Sequence, residues 1–150
     1  MEEELSGPHL TAALLCETVL QEGTGVLSFV RIVDRFIRPR PTSQIPPQPI
    51  QVMLAVCFKA GGIGTGNFRI KIRMFKPNAH TPIFEMENSA FFEGGQDSGA
   101  NIVAPFIMLA EEEGLHWIDV LFEDRIVTRV PFRVIFSSVP TIQSPRPAGA

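Results

Sequence analysis

Few residues in this chain have the type and spacing that chemistry requires. The histidines, His9, His80 and His116, are scattered, and none has Cys, Asp, Glu or His at the spacing of a CxxC or HExxH site, which would converge ligands on a metal. His116 alternates in phase with Ile118 and Val120, which makes it a histidine at the edge of a core. Cys16-Glu17 sets an acid beside a thiol, but no histidine can be assigned to it as a base, so a core cysteine is the reading. Gly61–Gly66 (GGIGTG) has the composition of a phosphate cradle, yet no helix follows to present its amides, and a hairpin loop is expected. A GxSxG elbow, a P-loop and a Rossmann fingerprint are all missing. No catalytic residue, cofactor site or metal site is assigned, and the chain is read as not an enzyme.

The charges are the feature that invites a functional reading. Formal net charge is −3, but residues 26–76 carry +8 and residues 77–124 carry −10. Arg31 with Arg35, and Arg69, Lys71 and Arg73, fall on the solvent faces of two expected strands. If those strands are neighbours, they form a basic stripe that could meet an anion, nucleic acid or an acidic protein surface. The plainer reading is a solvated strand face with the acidic segment folded against it. No aromatic residue interleaves with these bases, and the chain is acidic overall, so nucleic acid is not the expected partner. Trp117 is out of phase with the core residues of its strand, and with Arg129 it marks a possible anchor for a protein partner. Pro46-Pro47-Gln48-Pro49 has PxxP spacing but is read as a structural crossover.

These residues must be held by strands. Gly114–Phe136 reads as a closing hairpin: His116, Ile118, Val120 and Phe122 share one face, and Thr128, Val130, Phe132, Val134 and Phe136 share another. Asn67–Phe75 alternates most cleanly, with Phe68, Ile70, Ile72 and Met74 inward and Arg69, Lys71 and Arg73 outward. Ile50–Ala60 is nearly all apolar and reads as a strand buried on both faces. Val26–Phe36 is rich in β-branched residues. His9–Leu20 is compatible with helix or strand; the turn at Glu22–Gly25 favours a hairpin, hence a strand. Short strands are expected at Ile83–Met86 and Ser89–Phe92, and another at Asn101–Leu109, where Pro105 marks an edge or bulge. The expected architecture is all-β: a two-sheet antiparallel β-sandwich, immunoglobulin-like, with seven to eight strands and no long helix. It occupies residues 9–136 as one domain. Residues 1–8 form a flexible lead-in, residues 37–49 a proline-rich crossover and residues 137–150 a disordered tail.

Composition agrees with a globular domain: 45% hydrophobic, 19% charged, with 12 Phe, one Trp and no Tyr. The phenylalanines are read as core. The acidic start, MEEELSG, lacks the features of a signal peptide, and no apolar run reaches the roughly 20 residues that span a bilayer. Cys16 and Cys57 are expected to be buried, reduced thiols, and the compartment to be the cytoplasm.

Pro8-His9-Leu10, Leu14-Leu15-Cys16-Glu17, the segment Leu27-Ser28-Phe29-Val30-Arg31-Ile32-Val33-Asp34, and Gly114-Leu115-His116-Trp117 through Val130-Pro131-Phe132 resemble a family of short bacterial proteins known only as a domain of unknown function. The resemblance covers most of residues 8–136. It implies an all-β sandwich with no known activity or catalytic residues, and a strand at His9–Leu20. The functional expectation is a cytoplasmic module that binds a protein partner or associates with itself. The alternative is a small-ligand or carbohydrate-binding sandwich with its site in loops Gly61–Gly66 and Glu93–Ala100.

Overall fold

A computed structural model describes residues 6–95 and 97–138. The expectations for residues 1–5 and 139–150 lie outside the described residues. Nine strands follow in order: β1 (His9–Gln21), β2 (Leu27–Ile32), β3 (Arg35–Pro39), β4 (Pro49–Lys59), β5 (Gly66–Phe75), β6 (Phe84–Phe92), β7 (Gly99–Leu109), β8 (Gly114–Phe122) and β9 (Arg125–Ser137). They form a four-stranded sheet in the order β2-β1-β4-β7 and a five-stranded sheet in the order β3-β9-β8-β5-β6. The fold is the expected two-sheet sandwich, and His9–Leu20 is a strand.

The strand count departs from expectation where Val26–Phe36 was read as one strand. The chain breaks after Ile32 and changes sheets. Arg31 takes a positive φ of 56°, an uncommon backbone state for a residue with a side chain. Val33 N–H donates to the Leu15 carbonyl in the four-stranded sheet, and the Asp34 carbonyl accepts from Arg133 N–H in the five-stranded one. Residues 35–39, expected in the Val26–Phe36 strand and the proline-rich crossover, therefore form β3, which pairs in parallel with β9. The sandwich is thus antiparallel with one parallel pair. The two short strands expected at Ile83–Met86 and Ser89–Phe92 are one strand, β6. The lead-in is seated from Ser6 onward, where the Ser6 carbonyl accepts from Gly62 N–H.

Period-two alternation builds the core, because successive side chains point to opposite sheet faces. Ile50, Val52, Leu54, Val56 and Phe58 from β4 meet Ile70, Ile72 and Met74 from β5, Ile118 and Val120 from β8, and Val130, Phe132 and Val134 from β9. Two aromatic groups anchor the sandwich. Phe122 packs with Phe58, Phe68 and Phe92, the centroids 5.3–6.3 Å apart. Phe132 packs with Phe36, Phe106 and His116. Most phenylalanines serve the core as expected, whereas Phe84 and Phe91 remain exposed.

Candidate functional site

The outer face of the five-stranded sheet carries the charged residues singled out in the sequence. Alternation along β5 sends Arg69, Lys71 and Arg73 outward. On one side they face β6, with Arg69, Lys71 and Arg73 opposite Ser89, Glu87 and Glu85. On the other side Lys71 lies across from Leu121 and Arg73 across from Asp119 of β8. Acids pair with all three bases. Arg73 reaches Glu85 at 3.1 Å, and Lys71 reaches Glu85 at 3.7 Å and Asp124 at 3.3 Å. Arg69 contacts Asp124 and lies near Glu87.

Asp124 is placed by the β8–β9 turn. Glu123 and Asp124 both have positive φ, 47° and 66°, the backbone of a two-residue turn that matches strand twist and usually takes Asn-Gly. Here an acidic pair accepts that backbone and delivers a carboxylate to Arg69 and Lys71. The acidic segment 77–124 thus neutralises the basic strand within the fold, as the plainer reading expected. These pairs are largely solvent-exposed, so each contributes little to stability.

The stripe joining Arg31 and Arg35 to Arg69, Lys71 and Arg73 is not formed. Arg31 lies at the edge of the four-stranded sheet, beside Glu17 at 3.4 Å. Arg35 sits on β3, and β9 and β8 separate it from β5. The reason is the sheet change after Ile32, which a continuous apolar pattern does not reveal. Arg31 and Arg35 instead line a cleft of about 600 Å³ with Arg38, Phe36 and Met53. Arg38 is spent there on the Pro49 and Ile37 carbonyls.

Trp117 and Arg129 do come together. Trp117 is half-buried on the outer face, and the Arg129 guanidinium lies 5.1 Å from its ring centroid. Arg129 Nε also donates to Asp119 Oδ1 at 2.6 Å. Asp119 is 4% exposed, the one carboxylate among the buried residues. Sequence reasoning named Trp117 and Arg129 but missed Asp119, although Asp119 shares their phase and its opposition to Arg129 follows from the hairpin register. This cluster is an anchored, internally neutral patch.

The other outer face was not singled out. On the four-stranded sheet, alternation turns Ala12, Leu14, Cys16, Thr18 and Leu20 of β1 outward. Gln51, Met53, Ala55 and Cys57 of β4 share that face. So do Val30 and Ile32 of β2, and Asn101, Val103, Pro105, Ile107 and Leu109 of β7. The one charged residue in phase with these positions within the strands is Lys59, at the end of β4. Ile107 is 67% exposed, Ile32 64%, Leu20 56%, Leu109 50% and Val30 40%. The expectation that β4 is buried on both faces holds on the inside and in part on the outside, where Ala55 is buried and Met53 and Cys57 are half-buried by neighbours on their own sheet; among the described residues no strand overlies that side. Cys16 is buried at the centre of this face by its neighbours. Cys57 is half-buried rather than buried, and both are free thiols. Burial raises both thiols above their usual pKa; the Thr18 backbone partly opposes this for Cys16, and Lys59 for Cys57. Neither is an activated nucleophile.

The loops proposed for a small ligand fill each other. Thr65 Oγ1 donates to the Glu93 carbonyl, and a Cβ on Gly94 would stand 2.5 Å from Thr65 Oγ1. Gly61 and Gly62 pack on Ser6. No group of three or more His, Cys, Asp or Glu among the described residues is placed to hold a metal ion. No helix among them is long and apolar enough to cross a membrane.

A protein-family model matches residues 11–135, and the chain belongs to that family, a family of unknown function (DUF6941). No curated protein matches the sequence. Among solved structures, the chain is similar to a glycosyl hydrolase family 2 member from Bacteroides cellulosilyticus, with 12% identity, a TM-score of 0.48, and coverage of 84% of this chain and 15% of that one. It is also similar to a β-glucosidase from Listeria innocua in complex with glucose, with 12% identity, a TM-score of 0.42, and coverage of 71% and 15%. The chain therefore spans about 15% of the length of these structures.

Proposed function

We propose that this member of a family without an assigned activity is a non-catalytic protein-binding module, and that its contact surface is the outer face of the four-stranded sheet. One observation carries the reading. β4 places Met53, Ala55 and Cys57 at the centre of an outer face whose strand positions carry one charge, Lys59 at the end of β4, and that no described strand covers. Ala55 is covered by its neighbours and Met53 and Cys57 are half-buried, while Ile107, Ile32, Leu20, Leu109 and Val30 around them are exposed; exposed apolar side chains grouped on one face mark interaction sites in soluble proteins. The charged face is a weaker candidate, because Arg69, Lys71, Arg73 and Arg129 already have acidic partners. That pairing also argues against a polyanion such as nucleic acid as the partner. Both cysteines are free thiols, which fits a cytoplasmic compartment.

The test is photocrosslinking in expressing cells, with a photoreactive amino acid at position 107 on the four-stranded sheet or at position 133 on the charged face. Protein adducts from 107 and none from 133 are expected. Adducts from 133 alone, or from neither position, would refute the reading.

A further inference from the structure

Resting on that reading, we infer that the occupant of the outer face of the four-stranded sheet is a second copy of this chain, stacked sheet on sheet about a two-fold axis. Three features of the face select this partner. The first is area. β1, β4 and β7 over about ten residues each and β2 over its 6, at roughly 3.3 Å per residue and about 4.8 Å per strand, present about 570 Å². Two such faces bury about 1,100 Å² together, above the roughly 1,000 Å² that a biological interface clears.

The second feature is shape. Along the strands the larger outward side chains gather toward one end, with Leu14 and Val103 toward the other and Ser28 and Thr18 among the large set. Ala12 and Cys57 lie at one end, Leu14 and Ala55 beside them, and Leu20, Val30, Ile107 and Leu109 at the other end. A two-fold axis lying in the interface and running across the strands reverses this order in the partner. Large side chains of one copy then meet small ones of the other, as close packing requires.

The third feature is charge. Lys59 stands at the small end, in register with His9, and Glu22 follows β1 at the large end. The same axis separates the two Lys59 side chains and brings each to the end that carries the partner's Glu22. Lys59 also donates to the Asp97 carbonyl, and the other charges near the face, Glu17 and Arg31 at the β1–β2 edge, pair with each other, which leaves few with which to select an unlike partner.

The test is the solution mass of the full chain by light scattering, at about 100 µM, a concentration that populates any dimer of micromolar Kd. The expected mass is twice the 16.6 kDa of one chain. Ile107→Glu and Ile32→Glu, at positions already exposed in the single chain, are each expected to give the single-chain mass with an unchanged β-sheet circular dichroism spectrum. Arg133→Glu on the opposite face is expected to leave the doubled mass intact. A readout that needs no variant is the labelling rate of Cys57 by a bulky maleimide. It should fall about sevenfold between about 1 and 100 µM protein for a Kd near 1 µM, as the free face is sequestered. A single-chain mass at high concentration, a doubled mass that survives both glutamates, or a Cys57 rate independent of concentration would each overturn self-association. If the purified chain is single while position 107 crosslinks to a different protein in cells, self-association falls and the protein-binding reading stands.

Discussion

Mild acid is expected to destabilise this sandwich through His116. The imidazole is fully buried, stacked on Phe132 with centroids 4.9 Å apart and planes 20° from parallel. Its Nδ1 lies 3.1 Å from the Gly114 carbonyl, so Nδ1–H donates there, and Nε2 finds no partner among the described residues. Burial pushes its pKa below the usual value; the Gly114 carbonyl and Glu112 pull it up in part, and Lys76 adds to the fall. The unfolded chain takes up a proton on this residue near pH 6.5, while the folded chain does so only at lower pH. Stability from the neutral ring is therefore complete above about 6.5. Below that it declines as pH falls, at up to about 1.4 kcal/mol per pH unit, until the folded pKa is reached. The assay is urea denaturation followed by Trp117 fluorescence between about pH 7.5 and 5, above the range where carboxylates dominate. His116→Phe keeps an aromatic ring against Phe132 and removes the titration. Its stability should change less with pH than wild type across that window. Parallel profiles would refute the argument and show that the native state can accommodate the imidazolium.

Two further outcomes probe the sandwich itself. Phe132→Ala, which deletes the ring joining Phe36, Phe106 and His116, should cost about 3–5 kcal/mol in denaturant titration; a loss below about 1 kcal/mol would place that ring outside the packed core. A double-mutant cycle with Asp119→Asn and Arg129→Met should give a coupling of about 1–2 kcal/mol, because the carboxylate is buried while Arg129 is half exposed; a coupling near zero would mean that the 2.6 Å contact contributes nothing in solution.

The fold was legible wherever alternation is strict. β5, β8 and β9 carry it residue by residue, and their inward sets are the observed core. Legibility failed where the chain changes sheets. Val26–Phe36 contains no glycine or proline, so nothing in its pattern marks the break at Arg31, whose backbone state is imposed by the bonds at Val33 and Asp34 to different sheets. The basic stripe was lost with that break. Trp117 and Arg129 were legible because the hairpin register follows from the short turn, while Asp119 was passed over as an ordinary acid in a solvent phase. Pairing between β5 and β6 could not be foreseen, because Lys76 to Ala100 is weakly patterned.

The two outer faces differ in how far their side chains are satisfied within the chain. On the five-stranded sheet the strongest-looking features are satisfied within the chain: Arg73 by Glu85, Lys71 by Glu85 and Asp124, and Arg129 by Asp119 and the Trp117 ring. A ligand there would have to break existing pairs before forming its own. On the four-stranded sheet the opposite holds. The apolar side chains gain nothing from water, and each outward Ile or Leu brought out of it contributes about 1.5–3 kcal/mol at full burial. Ile32, Ile107, Leu20 and Leu109 are all at least half exposed in the single chain. The apolarity of Ile50–Ala60 on both phases thus has two sources in the fold: the inner face is covered by the second sheet, and the outer Met53, Ala55 and Cys57 are buried or half-buried among their neighbours on the four-stranded sheet.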